Sequence, residues 1–138
     1  MRFLSLIYQL PQSILSLFLL RIFIPEKKII YKRKSVYISE KMIGGISLGE
    51  IIIINREDEN IIKHEYGHSK QSEYFGWLYL IIIGLPSITK NIISRINKKY
   101  AINYYKRFPE KWADRLGEVE RSRQLNAEKN IVKKLYDE

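Results

Sequence analysis

From Phe3 to Leu20 the chain carries no charged residue, and from Tyr74 to Thr89 it again runs 16 positions without one. These two stretches constrain a 138-residue chain more than any other feature, because each must be covered by protein or by lipid. The first, "FLSLIYQLPQSILSLFLLRIFI", extends to Ile24. As one helix it would reach about 33 Å, just enough for about 30 Å of hydrocarbon. Pro11, with Gln9 and Gln12 beside it, is expected to break or kink that helix at bilayer depth. A partly inserted or in-plane segment therefore competes with a true span. Nothing in the stretch resembles a signal-peptide cleavage site. The second stretch would be about 24 Å long as a helix, short for a span, and Gly84 and Pro86 would bend it. A re-entrant or interfacial hairpin and a buried core helix both fit it.

Charge is distributed around these stretches. Lys and Arg number 24 against 15 Asp and Glu, and the excess is concentrated in "EKKIIYKRK" after the first stretch and "KNIISRINKKYAINYYKR" after the second. Basic residues beside apolar segments point to an anionic membrane surface on the cytoplasmic side. The interleaving of Tyr100, Tyr104 and Tyr105 with cations leaves nucleic acid as a less favoured partner, beside an ordinary solvated surface. With no cysteine, disulfides and thiolate metal sites are excluded.

Between the apolar stretches, Val36 and Ile38 and then Ile51 to Ile54 form β-branched runs separated by Gly44, Gly45 and Gly49. That pattern predicts strand, glycine turn, strand. After Gly117 the chain is charged, with apolar Val119, Leu125, Ile131, Val132 and Leu135, which predicts an amphipathic helix over 118–138.

The only two histidines, His64 and His68, stand four apart in "HEYGH". On a helix such positions lie about 6 Å apart along the axis on one face, so both imidazoles can converge on one ion. Glu65 projects from the flank of that face, where its carboxylate can take the proton of a water that zinc activates. The helix is expected to begin in "REDEN", where acidic residues and Asn60 suit an N-terminus, and to end near Gly76. Gly67 in its interior costs about 1 kcal/mol relative to Ala, which implies close packing by a neighbouring element.

A catalytic zinc site normally has three protein ligands, so a third must come from elsewhere. No further His or Cys exists, and Gln71 and Tyr74 stand where a longer histidine motif would need Gly and His. "FPEKWADRLGEV" supplies the candidate: Pro109 and Glu110 suit the first turn of a helix, and Glu110 and Asp114 share a face. Glu110 is then the ligand, with Glu118 next in line, and Asp114 accepts the remaining N–H of a ligating histidine. Small Ala113 lets this helix approach the first closely.

HEYGH followed by Glu110, Ala113 and Asp114 in an ExxAD arrangement resembles the gluzincin metallopeptidases. The nearest resemblance is to the membrane-bound heat-shock and CAAX-prenyl endopeptidase group, which has HExxH, a downstream ExxxD-type segment and helices in the membrane. The segments "GGISLGEIIIIN", "HEYGHSKQS", "IGLPS" and "EKWADRLG" also resemble a group of small bacterial HEYGH proteins, over roughly residues 5 to 120. The resemblance implies that an edge strand beside the HExxH helix, here Ile51, Ile52, Ile53 and Ile54, binds extended peptide; as structure alone the run reads as core. It also implies an oxyanion-stabilising group; Tyr100, Tyr104, Tyr105 and Arg115 are the candidates, since no histidine is left for that role.

The expectation is a single α+β, mostly α, zincin-like domain over residues 1–138, with a membrane-associated apolar segment at 1–25 and a small β-hairpin with its edge strand. Its expected activity is hydrolysis of a peptide or membrane-protein substrate with Zn2+, bound by His64, His68 and Glu110, with Glu65 as general base. A non-catalytic zinc-stabilised membrane adaptor and a basic nucleic-acid-associated protein are the alternatives.

Overall fold

The computed structural model describes residue 4, residues 7–97 and residues 106–121. Its architecture is α+β: helix α1 (Leu10–Phe23), strands β1 (Lys27–Tyr31), β2 (Lys34–Ile38), β3 (Gly45–Leu48) and β4 (Ile51–Ile54), and helix α2 (Glu59–Phe75). A 3-10 turn (Gly76–Leu78) and a π-helical segment (Leu80–Gly84) then lead into α3 (Leu85–Ile96), and α4 (Glu110–Gly117) follows.

Helical Ile7 and Tyr8 precede α1, a turn at Gln9 separates them from it, and Pro11 stands where the helix resumes, so the expected break is found here. Pro11 occupies the first turn of α1, where its missing N–H has no intrahelical partner to lose. The resulting helix has 14 residues, or about 21 Å. Among the described residues, no helix is long and apolar enough to cross a membrane. The second apolar stretch is not a buried core helix either: Tyr79 and Ile83 point inward, while α3 has no buried residue.

The sheet has the order β1-β2-β4-β3. β1 and β2 form a hairpin whose two-residue loop, Lys32 and Arg33, has positive φ at both positions, as the twist of a tight hairpin requires. β2 and β4 are parallel, and β3 returns antiparallel to β4. The expected strand, turn, strand unit is thereby corrected twice. The glycine segment itself contains a strand, β3, and Ile51 to Ile54 occupy an interior position with β2 on one side and β3 on the other. An uninterrupted β-branched run suits that place, buried on both faces. β3 is the edge.

Val36, Ile38, Ile52 and Ile54 face α2 and enclose Ile62. Ile46 and Leu48 lie in a second cluster with Leu15 and Leu19 of α1, Tyr79 and Ile83. On α1 the buried residues are polar, Gln12 and Ser16, with Gln9 just before the helix, while Leu10, Ile14, Leu17, Phe18 and Ile22 are exposed. Gln9 accepts a hydrogen bond from Ser72 (2.8 Å), and Gln12 donates to the carbonyl of Gly76, so polar contacts dock α1 on the end of α2.

α2 begins where Asp58 caps it, accepting from the N–H groups of Asn60 and Ile61 (2.9 and 3.1 Å). It packs on α4 backbone to backbone. A Cβ on Gly67 would stand 1.8 Å from the carbonyl oxygen of Ala113, and one on Gly117 would stand 1.8 Å from that of Lys63. The two glycines permit this approach, and it brings Glu110 under the histidines.

Candidate metal centre

His64 and His68, one turn apart on α2, aim their Nε2 atoms at the same carboxylate oxygen. Glu110 Oε2 lies 2.9 Å from His64 Nε2 and 3.1 Å from His68 Nε2. All three residues are buried, and one ligand atom from each lies within 4.8 Å of the others. Glu110 reaches them because α4 begins directly after Pro109, at its N-cap position, and Glu110 is its first residue, on the face toward α2.

The opposite ring nitrogens are already engaged. His64 Nδ1 donates to Asp114 Oδ1 at 2.6 Å, and His68 Nδ1 donates to Gln71 Oε1 at 2.7 Å. Either bond fixes the tautomer that leaves the Nε2 lone pair free to coordinate. Gln71 is in turn held by donating to the carbonyl of Pro109 (3.0 Å), and Ser87 of α3 donates to Glu110 Oε1 at 2.5 Å. One oxygen of Glu110 is thus assigned to Ser87 and the other faces both imidazoles. A buried two-histidine, one-carboxylate group with committed outer nitrogens is able to hold a metal ion.

Glu65 is buried beside this group, under the start of the edge strand. A Cβ at Gly45 would come within 2.4 Å of Glu65 Oε1, so only glycine leaves that carboxylate its space. Burial pushes the Glu65 carboxyl up, against the lowering influence of His68 and His64. Burial opposes charge on His64, but its bonds to Asp114 and Glu110 outweigh that and push the imidazole up to about 9. Burial would raise Glu110 too, yet the two histidines hold its carboxyl far below the usual carboxylate range. Tyr79 is pushed up by burial and by the charges of Glu65 and Glu110, and its hydroxyl donates to the carbonyl of Ser47 (2.9 Å).

Of the residues expected from sequence, His64, Glu65, His68, Glu110 and Asp114 are brought together. Arg115 is exposed in a separate recess with Phe108, Lys111 and Trp112. One position after Asp114 is a turn of about 100° around the helix, which carries it off the face that meets His64. Tyr100, Tyr104 and Tyr105 lie outside the described residues; of the helix expected over 118–138, residues 118–121 are not helical, because the chain turns back after Gly117, and the rest lies outside the described residues. Glu118 stands in a left-handed conformation at the end of α4, away from the ligand face. Gln71, Ser87, Gly45 and Arg121 are contributors that the sequence did not mark. Only Gln71 carried a readable signal, its spacing of three from His68.

Comparison with family models, curated proteins and solved structures returned no match to this chain.

Proposed function

We propose that the protein is a zinc-dependent, membrane-associated peptidase that resembles the gluzincins. One observation carries the reading: two Nε2 atoms and one carboxylate oxygen converge, with every outer ring nitrogen engaged, beside a second buried carboxylate, Glu65. His64, His68 and Glu110 would hold the ion, and imidazole with carboxylate is a donor set that suits zinc. Zinc bound there supplies Lewis acidity, which makes water nucleophilic at neutral pH and polarises a carbonyl.

The remaining work falls to the chain. Glu65 takes the proton of the attacking water and returns it to the leaving amine. Its raised pKa brings it toward the operating pH, where a general base is most effective. Asp114 and Gln71 hold the histidine rings, and Ser87 holds Glu110.

The substrate strand moves from β4 to β3. In an antiparallel ladder, alternate residues turn their backbone groups to the partner strand. Asn55 donates to the carbonyl of Gly44, so Gly44, Ile46 and Leu48 turn their backbone groups to β4, while Gly45 and Ser47 turn theirs away from it, Gly45 half-buried and Ser47 buried. The bond from Tyr79 to the Ser47 carbonyl agrees with that phase. Gly45 therefore offers its N–H and C=O to an extended peptide directly beside Glu65.

The membrane part of the proposal rests on the reversed burial of α1. A water-facing helix buries its apolar stripe, whereas α1 buries Gln12 and Ser16 and exposes Leu10, Ile14, Leu17, Phe18 and Ile22. Trp77, Leu78, Ile81, Leu85, Ile88 and Ile92 extend the exposed apolar surface. Arg21 at the end of α1, and Lys90 and Arg95 on α3, suit the headgroups of an anionic, cytoplasmic leaflet.

Glu65→Gln tests the enzyme reading. It keeps shape and hydrogen bonding but cannot accept a proton at neutral pH. Bound zinc should remain stoichiometric while cleavage of a casein-like or membrane-protein substrate falls about 100-fold or more. Undiminished cleavage by the zinc-loaded variant would refute the mechanism, and inactivity of both zinc-loaded forms would favour a zinc-stabilised adaptor.

A further inference from the structure

Helix α4 ends at Gly117, and the residue after it turns the chain back. Glu118 adopts a left-handed conformation (φ 57°), its N–H bonds to the carbonyl of Arg115, and the N–H of Val119 bonds to that of Asp114 (2.9 Å). The reversal returns Arg121 to the side of the helix it has just left. There its guanidinium forks over Asp114: Nε donates to Oδ2, and Nη2 donates to Oδ1 at 2.8 Å. Nη2 also comes within 3.2 Å of His64 Nδ1. Only 20% of the Arg121 side chain and 14% of the Asp114 side chain are exposed, so water competes weakly for this fork.

Asp114 Oδ1 consequently serves His64 and Arg121 together. A carboxylate held by a single imidazole can rotate about its own bonds, and the ring rotates with it. Two parallel N–H···O bonds from a planar guanidinium remove that freedom. Arg121 also balances a negative charge in a site that already contains Glu65 and Glu110. Lysine offers one compact charge in place of the planar fork.

We propose that Arg121 is a positioning residue of the metal centre: by clamping Asp114 it fixes the ring of His64, so zinc affinity depends on a side chain that ligates nothing. The inference rests on the zinc reading above but not on peptidase activity.

Zinc affinity of the full chain is measured by equilibrium competition against a chromophoric chelator, for wild type, Arg121→Gln, Arg121→Lys, Asp114→Asn and the Asp114→Asn/Arg121→Gln pair. Loss of an outer partner of a metal-binding histidine typically weakens binding by about 10- to 100-fold, and Arg121→Gln is expected within that range. Arg121→Lys, which keeps the charge, should recover only part of the loss. In the Asp114→Asn background, removing Arg121 should change affinity by less than about 2-fold, because asparagine offers one neutral oxygen in place of the two charged ones that the fork needs. Cobalt(II) absorption spectra of the same set report ligand geometry, which a loss of general stability would leave unchanged in the folded fraction. Wild-type affinity in both Arg121 variants, or independent losses in the double variant, would overturn the clamp and leave the zinc reading intact. A wild-type chain that takes up no zinc would overturn both.

Discussion

The approach of α2 to α4 can be broken with one methyl group. In Gly67→Ala the new Cβ would stand 1.8 Å from the Ala113 carbonyl oxygen, 2.6 Å from its carbon and 2.9 Å from its Cα. A carbon and an oxygen rest about 3.3 Å apart, so α4 must retreat by roughly 1.5 Å. All three obstructing atoms are backbone, and no rotamer change relieves them. Overpacking costs about 1–3 kcal/mol, here at the upper end, while alanine returns about 1 kcal/mol of helix propensity. The net expectation is a destabilisation of about 2 kcal/mol, read from urea unfolding of the zinc-free chain. The effect on the site is larger in proportion. Metal–ligand distances tolerate about 0.2 Å, and Glu110 travels with α4, so zinc affinity should fall by at least the 10- to 100-fold typical of a disturbed ligand partner. Gly84→Ala is the control, because its Cβ would meet nothing nearer than 3.8 Å. It should leave affinity unchanged and stability equal or slightly higher. Wild-type stability and affinity in Gly67→Ala would refute the proposed dependence of the site on helix contact, and equal damage from Gly84→Ala would attribute the effect to alanine itself.

Zinc uptake should be pH-dependent, with a sign set by His64. Its folded pKa is raised from 6.5 to about 9, so the proton's contribution to the stability of the zinc-free chain is complete below about pH 6.5 and is lost as pH rises through about 9. Coordination needs the neutral ring, so binding between pH 7 and 8 should release close to one proton and tighten as pH rises. Calorimetry in buffers of different ionisation heat measures that release, and none at all would contradict the assignment. For the membrane surface, flotation with vesicles rich in anionic lipid should retain the chain, and serial replacement of Leu10, Ile14, Leu17 and Phe18 by serine should release it. Recovery of the unaltered chain as a monomer that ignores such vesicles would count against a lipid-facing α1.

The centre was legible because its residues obey one rule. His64 with His68, and Glu110 with Asp114, are each four apart, and helical periodicity alone places each pair on a face. Gly67 and Ala113 marked where the two helices meet, since small residues inside helices have few other reasons to be there. The sheet was less legible. Gly45 was read as turn because glycine is poor in strands, yet it lies in β3 for a reason found across the fold: Glu65 occupies the space its side chain would fill. Ser87 and Arg121 belong to no periodic pattern, and a single polar residue acquires meaning only when a chain reversal brings it to a partner.

The first apolar stretch shows most clearly what periodicity can and cannot decide. Read by hydropathy, Gln9, Gln12 and Pro11 are defects in a span. Read by angle, Gln9, Gln12 and Ser16 fall at spacings of three and four, one stripe of a helix that Pro11 is able to begin. A polar stripe on an apolar helix has two solutions, water outside or protein inside. α1 takes the second, because Ser72 and the Gly76 carbonyl at the end of α2 supply partners that water would otherwise provide. Leu10, Ile14, Leu17, Phe18 and Ile22 are turned outward by the same bonds. That orientation leaves an apolar face of α1 uncovered by the described residues, and the proposed membrane contact rests on that face.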